Sequence, residues 1–318
     1  MSFAGQCIVI LGPTCSWKSQ VALELAPRYN AEIISCDSMQ IYRGLDIGTA
    51  KPSSNELAQV PHHLIDELEM EQRYDANRFC LMAKDRLENI YRRGKAAILV
   101  GGTGLYAKAL VYGFAMLPAD QKLAAALQEK LQQPGGRELL LRHLQEKLGS
   151  ELPAAVYENP RRLLRACEVF ELCGRTPWEI QSTTQQPKPG FLQFCILPKL
   201  SLLKERIQER CAAMLAAGWV QEALQAEARG LLKTPTAKQA LGYKDIIEFQ
   251  RNGAPGGDAA LFDILSRRTV RYARRQLTWF KKQHPGAFSI MVDTADNAPA
   301  KLCASIENYL YQLKIKLT

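Results

Sequence analysis

Short, uninterrupted apolar runs alternate with amphipathic stretches along the first third of the chain. The runs Cys7–Leu11, Glu32–Cys36 and Ala96–Val100 are almost wholly apolar, which predicts strands that are buried on both faces of a parallel sheet. The stretches Ser19–Tyr29 and Asn77–Arg93 carry apolar residues at helical spacing. Alternation of strands and helices in this order predicts an α/β fold, in which helices cover both faces of the sheet.

The middle of the chain has a different pattern. From Ala119 to Ser182 the sequence is rich in Leu, Gln, Glu and Arg and shows no strand pattern. The polar stretch Thr183–Gly190 is typical of a linker. We therefore predict an all-helical insertion over residues 119–189, between core segments 1–118 and 190–318.

Strand and helix patterns return after the linker. The expected strands are Leu192–Leu197 and Phe288–Val292, and the expected helices are Ser201–Ala217, capped by Ser201, and Ser266–Lys282. Asn252–Asp258 is rich in Gly and Pro, which predicts a loop.

Composition limits the functions to be considered. The 318 residues include 41 Lys and Arg against 32 Asp and Glu, a net charge of +9 that favours an anionic partner such as nucleic acid or a phosphate ester. No apolar run approaches the ~20 residues of a membrane-spanning helix. The nine cysteines are an odd number without any C-x-x-C pair, which fits a reducing cytoplasm better than a disulfide framework. We expect a cytoplasmic protein without a membrane segment.

A phosphate-binding loop follows the first predicted strand. Its pattern is G-x-x-x-x-G-K-[ST], in which backbone amides and the helix N-terminus cradle a phosphate, the Lys adds charge and the Ser or Thr hydroxyl can bind Mg²⁺. Trp17 stands where the pattern has its second Gly, a position that favours positive φ. A degenerate loop that binds nothing is the alternative. The residues of the loop are Gly12, Pro13, Thr14, Cys15, Ser16, Trp17, Lys18 and Ser19.

An acidic residue is expected near such a loop. The run Ala96–Val100 is followed by glycines, whereas Glu32–Cys36 is followed by Asp37. We expect the Asp37 strand to lie next to the phosphate-loop strand, so that the carboxylate faces the same crevice at the carboxyl ends of the strands.

The block Ser35–Pro52, with the sequence SCDSMQIYRGLDIGTAKP, is highly specific and resembles the tRNA dimethylallyltransferases. Further matching blocks follow in that family's order. They are Pro61–Asp66, Gly101–Tyr106, Arg161–Gly174, Ala240–Lys244 and Arg271–Phe280. The resemblance implies an enzyme that transfers a dimethylallyl group from dimethylallyl diphosphate to N6 of the adenosine at tRNA position 37. It also implies a P-loop NTPase-like core and a helical insertion that grips the anticodon stem-loop. We expect a monomer.

The resemblance also assigns roles to residues. Asp37 matches the general base, although capping of the next turn is an alternative role. Lys18, Ser19 and Arg210 match residues that bind the diphosphate, with Mg²⁺ held at Ser19, and Ser19 and Arg210 join Asp37 in the catalytic set. The positions that match tRNA contacts are Asp37, Ser38, Met39, Gln40, Thr103, Arg161, Arg162, Leu163, Leu164 and Arg165.

Two predicted helices carry outward-facing basic residues, as expected of an RNA-binding surface. Arg161, Arg162 and Arg165 flank an apolar stripe that includes Leu163. In Ser266–Lys282 the predicted buried stripe is Val270, Ala273, Leu277 and Phe280, and basic residues occupy the other faces.

Two other functions remain open at this point. One is an adenylate isopentenyltransferase acting on a free nucleotide, against which the basic helices argue. The other is a catalytically impaired tRNA-binding relative, because Trp17 replaces the family's Gly. Two further departures are Cys15, where the family has Ala, and Ala124, where many members carry an Arg that contacts tRNA.

Overall fold

The computed structural model describes residues 6–113, 117–149, 151–180 and 186–313. The chain divides into two compact units, one formed by Met1–Val111 with Pro187–Thr318 and the other by Tyr112–Gln186. The first three residues of the predicted linker, 183 to 185, lie outside the described residues.

The first unit is built on a six-stranded sheet with the order β3-β2-β4-β1-β5-β6. All neighbouring strands are parallel. The strands are β1 (Cys7–Leu11), β2 (Ala31–Ser35), β3 (His62–His63), β4 (Ala96–Gly101), β5 (Phe191–Pro198) and β6 (Phe288–Val292).

Burial explains why the apolar runs form strands. Every residue of β1, β2 and β4 is buried, since these strands have neighbours on both sides. At the sheet edge, three of the five residues of β6 are exposed, and only Ile290 and Val292 are buried. The predicted α/β class with a P-loop-like parallel sheet is confirmed. One expectation is wrong: β4 separates β2 from β1, so the strand before Asp37 does not adjoin the phosphate-loop strand.

Helices connect the strands and make up the second unit. In chain order they are α1 (Lys18–Arg28), α2 (Ser54–Gln59), α3 (Ala76–Arg92), α4 (Gly104–Lys108), α5 (Gln121–Gln132), α6 (Gly136–Leu148), α7 (Ala154–Glu158), α8 (Pro160–Cys173), α9 (Pro177–Ile180), α10 (Leu200–Ala216), α11 (Trp219–Ala228), α12 (Tyr243–Arg251), α13 (Gly257–Gln283) and α14 (Ala298–Gln312). Short turns of other helical types span Ala109–Gly113, Leu231–Lys233 and Ala237–Gln239. No described helix is long and apolar enough to cross a membrane.

Two helix starts differ from the prediction. Lys199, not Ser201, is the N-cap of α10, and no side chain caps that end. Helix α13 begins inside the predicted loop, because Gly256 adopts a left-handed conformation (φ 79°) that starts a helix at Gly257. The resulting helix has 27 residues.

The buried face of α13 is more polar than its sequence pattern suggested. Ser266, Thr269, Ala273, Gln276 and Phe280 are buried, at the alternating three- and four-residue spacing of one helix face. The predicted stripe is therefore correct for Ala273 and Phe280 but wrong for its other two members, which are only partly buried. Polar side chains on a buried face need hydrogen-bond partners. The hydroxyl of Thr269 donates to the carbonyl of Leu265 in its own helix, whereas the partners of Gln276 lie in the site described below.

In the second unit, every described element is helical. Helices α5 to α8 pack around an apolar core that includes Leu127, Leu140, Leu144, Val156 and Leu163. The predicted all-helical character of the insertion is confirmed by these elements.

Candidate functional site

The phosphate loop joins β1 to α1 and has the conformation that its motif requires. Trp17 is the N-cap of α1 and adopts the left-handed conformation (φ 63°), and Cys15 also has positive φ (62°). Each such residue costs about 1–2 kcal/mol relative to a right-handed conformation. The loop therefore keeps the turn that the missing Gly normally allows.

Burial of the Trp17 indole offsets this strain. The side chain is only 5% exposed and belongs to the core cluster of the first unit. The guanidinium carbon of Arg206 lies 4.2 Å from the centre of the ring, and Arg206 Nε donates to the carbonyl oxygen of Cys15 at 3.1 Å. The indole is therefore packed inside the first unit, and the loop is supported by Arg206.

Two cations converge on the loop. Lys18 Nζ donates to the carbonyl oxygen of Pro13 at 2.9 Å, and Arg210 donates to the hydroxyl of Thr14. Burial, and then the positive charge of Arg210, lower the pKa of Lys18 to about 8, while Asp37 acts in the opposite direction. The electrostatic influence of Asp37 indicates that its carboxylate lies within reach of the same site.

Two buried polar atoms of this site have no partner among the described residues. They are Ser16 Oγ and Arg210 Nε. A buried donor without a partner is costly, by about 1–3 kcal/mol. The adjoining pocket of about 370 Å³ is lined by loop residues 15–20 and by one face of α10, including Arg206, Glu209 and Arg210. Unpaired buried donors beside cations are the features of an anion-binding site.

Asp37 follows the end of β2 and forms a tight turn. Its Oδ1 accepts hydrogen bonds from the backbone amides of Met39 (2.8 Å) and Gln40 (3.4 Å). The capping role considered above is thus real, but it uses only this oxygen. Among the described residues, Oδ2 has no hydrogen-bond partner. One carboxylate oxygen therefore holds the turn, and the other is available for chemistry.

Thr103 links the Asp37 turn to the end of β4. Its hydroxyl oxygen accepts from the amide of Ser38 at 3.1 Å, and its own amide donates to the carbonyl of Cys36 at 3.2 Å. The close approach explains Gly101, because a Cβ there would lie 2.0 Å from the carbonyl oxygen of Cys36. Thr103 and the turn after β2 therefore form one hydrogen-bonded unit.

Much of the specific Ser35–Pro52 block has a structural role. Gln40 Nε2 donates to the carbonyls of Thr49 (3.2 Å) and Ala50 (3.0 Å), and its Oε1 accepts from the hydroxyl of Ser35 (2.9 Å). Lys51 donates to Asp46 at 2.5 Å. Both ends of the Gln40 amide are hydrogen-bonded within the chain. Its side chain is therefore already engaged, and the predicted contact of Gln40 with tRNA stays a prediction.

These loops are held by two side chains that the sequence analysis missed, one glutamate and one glutamine. Glu222, on α11, accepts from the amides of Asp46 and Ile47 at 2.8 Å and of Gly48 at 3.0 Å. Gln276, on α13, binds the phosphate loop and the β4 loop. The one sequence signal for Gln276 is that a polar residue occupies a buried position of a helix. No local sequence pattern indicates Glu222.

The remaining predicted tRNA contacts lie on α8, in the second unit. Arg161 and Arg162 are exposed. Arg165 is paired with Glu168 at 2.6 Å and donates to the carbonyl of Leu117 at 3.1 Å. Leu163 is fully buried, so the expectation that it contacts tRNA is wrong for its side chain, which forms part of the core. Leu164 packs against the same core.

A parallel sheet, a phosphate loop that opens the first helix and two loop-facing cations define a protein of the P-loop class. Residues 40–283 match the family model described as IPP transferase. The tRNA dimethylallyltransferase of Deinococcus radiodurans is 37% identical over 310 residues, which cover 94% of this chain and 96% of that protein. The chain belongs to the IPP transferase family, whose members are prenyl transferases.

Solved structures agree with this assignment. The tRNA isopentenylpyrophosphate transferase of Bacillus halodurans superposes with a TM-score of 0.68 at 30% identity, covering 97% of each chain. A eukaryotic dimethylallyltransferase acting on tRNA gives a TM-score of 0.79 at 24% identity, over 98% of this chain and 81% of that one. At that identity the second likeness concerns the fold alone.

Proposed function

We propose that this chain transfers a dimethylallyl group from dimethylallyl diphosphate to N6 of the adenosine at position 37 of a tRNA, beside the anticodon. The observation that carries the proposal is the set of unsatisfied donors at the phosphate loop, Ser16 Oγ and Arg210 Nε, beside Lys18 and within the electrostatic reach of Asp37. A diphosphate supplies the acceptors that these groups lack. Similarity to tRNA dimethylallyltransferases supports tRNA, and not a free nucleotide, as the acceptor.

The diphosphate is the leaving group of this reaction. As the bond between its oxygen and the dimethylallyl carbon breaks, the electron pair stays on the diphosphate, which gains negative charge. Lys18, Arg210 and the loop amides stabilise that charge, and groups aimed at developing charge are usually the largest contribution to catalysis. The phosphate loop thus serves departure of a diphosphate and not phosphoryl transfer.

Asp37 acts on the acceptor side. The exocyclic amine of adenine is a weak nucleophile, and it must lose a proton as its nitrogen bonds to the dimethylallyl carbon. The free Oδ2 of Asp37 accepts that proton, while Oδ1 holds the turn. A positioned general base contributes about 10²–10⁴-fold in rate. Protonated Asp37 then releases the proton to solvent.

The oxygen donors of this site suit Mg²⁺ that is bound together with a substrate. A metal site made by the protein alone is not found, since within the described residues no group of three or more His, Cys, Asp or Glu side chains could hold a metal. The hydroxyl of Ser19, exposed at the start of α1, is an oxygen ligand of the kind that Mg²⁺ takes together with substrate phosphates and water. We propose that Ser19 would help to hold Mg²⁺ together with the diphosphate, and that the ion would supply positive charge against the leaving group.

The helical unit supports the tRNA part of the proposal. Exposed Arg161 and Arg162 lie at the first turn of α8, above the buried Leu163 that fixes the helix in its core. Such outward guanidinium groups are suited to the phosphates of an anticodon stem-loop. The proposal includes a monomer in the cytoplasm. The phosphate loop and Asp37 come from one and the same chain, which supports a monomer as the active unit. The nine free cysteines support a cytoplasmic location.

Nucleoside mass spectrometry of tRNA tests the proposal. The purified chain is incubated with Mg²⁺, dimethylallyl diphosphate and either tRNA or AMP, and Lys18→Met serves as the inactive control. We expect N6-(dimethylallyl)adenosine in the tRNA, at position 37, and no product on AMP. Product on AMP alone would support the adenylate enzyme, and no product on either acceptor would contradict the proposal.

A further inference from the structure

One buried side-chain amide joins the two halves of the site. Gln276 lies on the buried face of α13 and is 8% exposed. Its Oε1 accepts from the amide of Thr14, in the phosphate loop, at 2.9 Å. Its Nε2 donates to the carbonyl of Gly102, in the loop after β4, also at 2.9 Å. The two partners are a donor and an acceptor, so only one orientation of the amide satisfies both.

The glycine at 102 has a physical reason in this contact. A Cβ at Gly102 would lie 2.6 Å from Gln276 Nε2, closer than a real Cβ approaches any atom. Alanine at this position would push the amide away from the carbonyl. The second glycine of the Gly101–Tyr106 block therefore provides the space in which Gln276 bridges the two loops.

A short chain of hydrogen bonds continues from Gly102 to the Asp37 turn. Gly102 precedes Thr103, whose hydroxyl oxygen accepts from the amide of Ser38, next to Asp37. The path Thr14–Gln276–Gly102–Thr103–Ser38 therefore connects the loop that holds the diphosphate with the turn that holds the base. It crosses from the end of β1, through the end of β4, to the end of β2.

We infer that Gln276 is a positioning residue for the transfer, because its two hydrogen bonds set the spacing between the phosphate loop and the Asp37 turn. This inference rests on the proposed function. Gln276 need not touch a substrate, since it acts through Thr14 on one side and through Thr103 on the other. A displacement of about 1 Å between reacting groups can reduce a rate by about 10²-fold. Loss of the bridge should therefore lower the transfer rate more than it lowers substrate binding.

Gln276→Met tests the inference, because Met keeps the volume of the side chain and removes both hydrogen bonds. Thr269→Val is the matched control: Thr269 is buried on the same face of α13, and its hydroxyl donates to the carbonyl of Leu265, at 2.8 Å, in its own helix and interacts with the thiol of Cys211, so among the described residues it has no bond to either loop of the site. The measurement is the single-turnover rate of the full chain with tRNA, Mg²⁺ and dimethylallyl diphosphate at saturation. We expect Gln276→Met to be slower than Thr269→Val by about 10- to 100-fold, with the Kd for tRNA unchanged.

Two further variants keep the test decisive. Gln276→Glu retains an acceptor for the Thr14 amide but loses the donor to Gly102, so it should also be slow if Gln276→Met does not fold. If Gln276 acts through Thr103, the rate loss caused by Gln276→Met should largely disappear in a Thr103→Val background, because that path is already broken.

The outcomes separate this inference from the proposed function. Rates of Gln276→Met and Gln276→Glu within about threefold of Thr269→Val would overturn the positioning role. Multiplicative effects of Gln276→Met and Thr103→Val would overturn the path through Thr103. A wild-type chain that modifies no tRNA overturns the proposed function, whereas an active wild type with unaffected Gln276 variants overturns this inference alone.

Discussion

The phosphate loop and the segment from Ser35 to Pro52 differ in how they use their polar atoms. At the phosphate loop, Ser16 Oγ and, from α10, Arg210 Nε are buried without partners among the described residues. In the Ser35–Pro52 segment, Gln40 and Lys51 donate to backbone carbonyls of the segment itself, and Glu222 holds three of its amides. Unpaired buried donors beside the cations Lys18 and Arg210 indicate a ligand site at the phosphate loop, whereas the side-chain to backbone bonds of the Ser35–Pro52 segment keep its own shape.

In this chain, the motif that identifies the family and the motif that binds the ligand are different segments. The longest and most specific block of this sequence identifies the family, but several of its polar side chains, among them Gln40 and Lys51, hold its own backbone. Asp37 is the exception, because one of its oxygens has no hydrogen-bond partner in the described part of the chain. The shorter phosphate loop departs from its motif at Trp17 and still keeps the conformation that binds anions.

The largest expected effect is that of Asp37→Asn. The amide retains the shape and the acceptor that holds the turn, but it cannot take the proton from the amine. We expect the transfer rate to fall by about 10²–10⁴-fold, with the Kd for tRNA within twofold of wild type as measured by filter binding. Turnover close to that of wild type would show that the segment has no catalytic group and is scaffold throughout.

Glu222→Ala should affect stability where Asp37→Asn affects rate. The substitution leaves the amides of residues 46–48 without their acceptor and removes a partner of Tyr243, whose hydroxyl donates at 2.5 Å. We expect the free energy of unfolding in urea to fall by about 3 kcal/mol. Glu205→Ala, at an exposed position on α10, is the control and should change it by less than about 0.5 kcal/mol. Equal values for the two variants would contradict the scaffold role.

The pH dependence of binding should distinguish the phosphate loop further. Burial, and then the charge of Arg210, lower the pKa of Lys18 to about 8, so Lys18 is charged below pH 8 and loses its charge above it. Calorimetric affinity for dimethylallyl diphosphate should therefore fall by about tenfold between pH 7 and pH 9. Lys18→Arg stays charged over this range and should show no such fall. The same decline in both proteins would assign the titration to another group.

The smallest expected effect concerns tRNA phosphates and α8. Each of Arg161→Ala and Arg162→Ala should reduce the slope of log K against log salt concentration by about one. Arg165→Ala is the comparison and should change the slope less, because Glu168 already neutralises that guanidinium. Unchanged slopes for the exposed pair would place this helix away from the RNA.

Most of the fold could be predicted because it depends on local patterns. Uninterrupted apolar runs located β1 and β4, and the phosphate loop was evident from its position between a strand and a helix. The order of the strands could not be predicted, since no feature of the β2 sequence indicates that β4 lies between β2 and β1. Gln276 was missed for the same reason: Thr14 is 262 residues away in the sequence, so only tertiary structure shows why this buried position is polar.

Direct titration of the phosphate loop with its ligand tests the central claim, that Trp17 leaves a working diphosphate site. Wild type and Trp17→Gly are titrated calorimetrically with dimethylallyl diphosphate and Mg²⁺. Because the wild-type loop already has the left-handed turn, we expect both proteins to bind one diphosphate per chain, with Kd values that differ by less than about tenfold, or ~1.4 kcal/mol. No binding by wild type, together with saturable binding by Trp17→Gly, would contradict the account and identify this chain as a disabled member of its family.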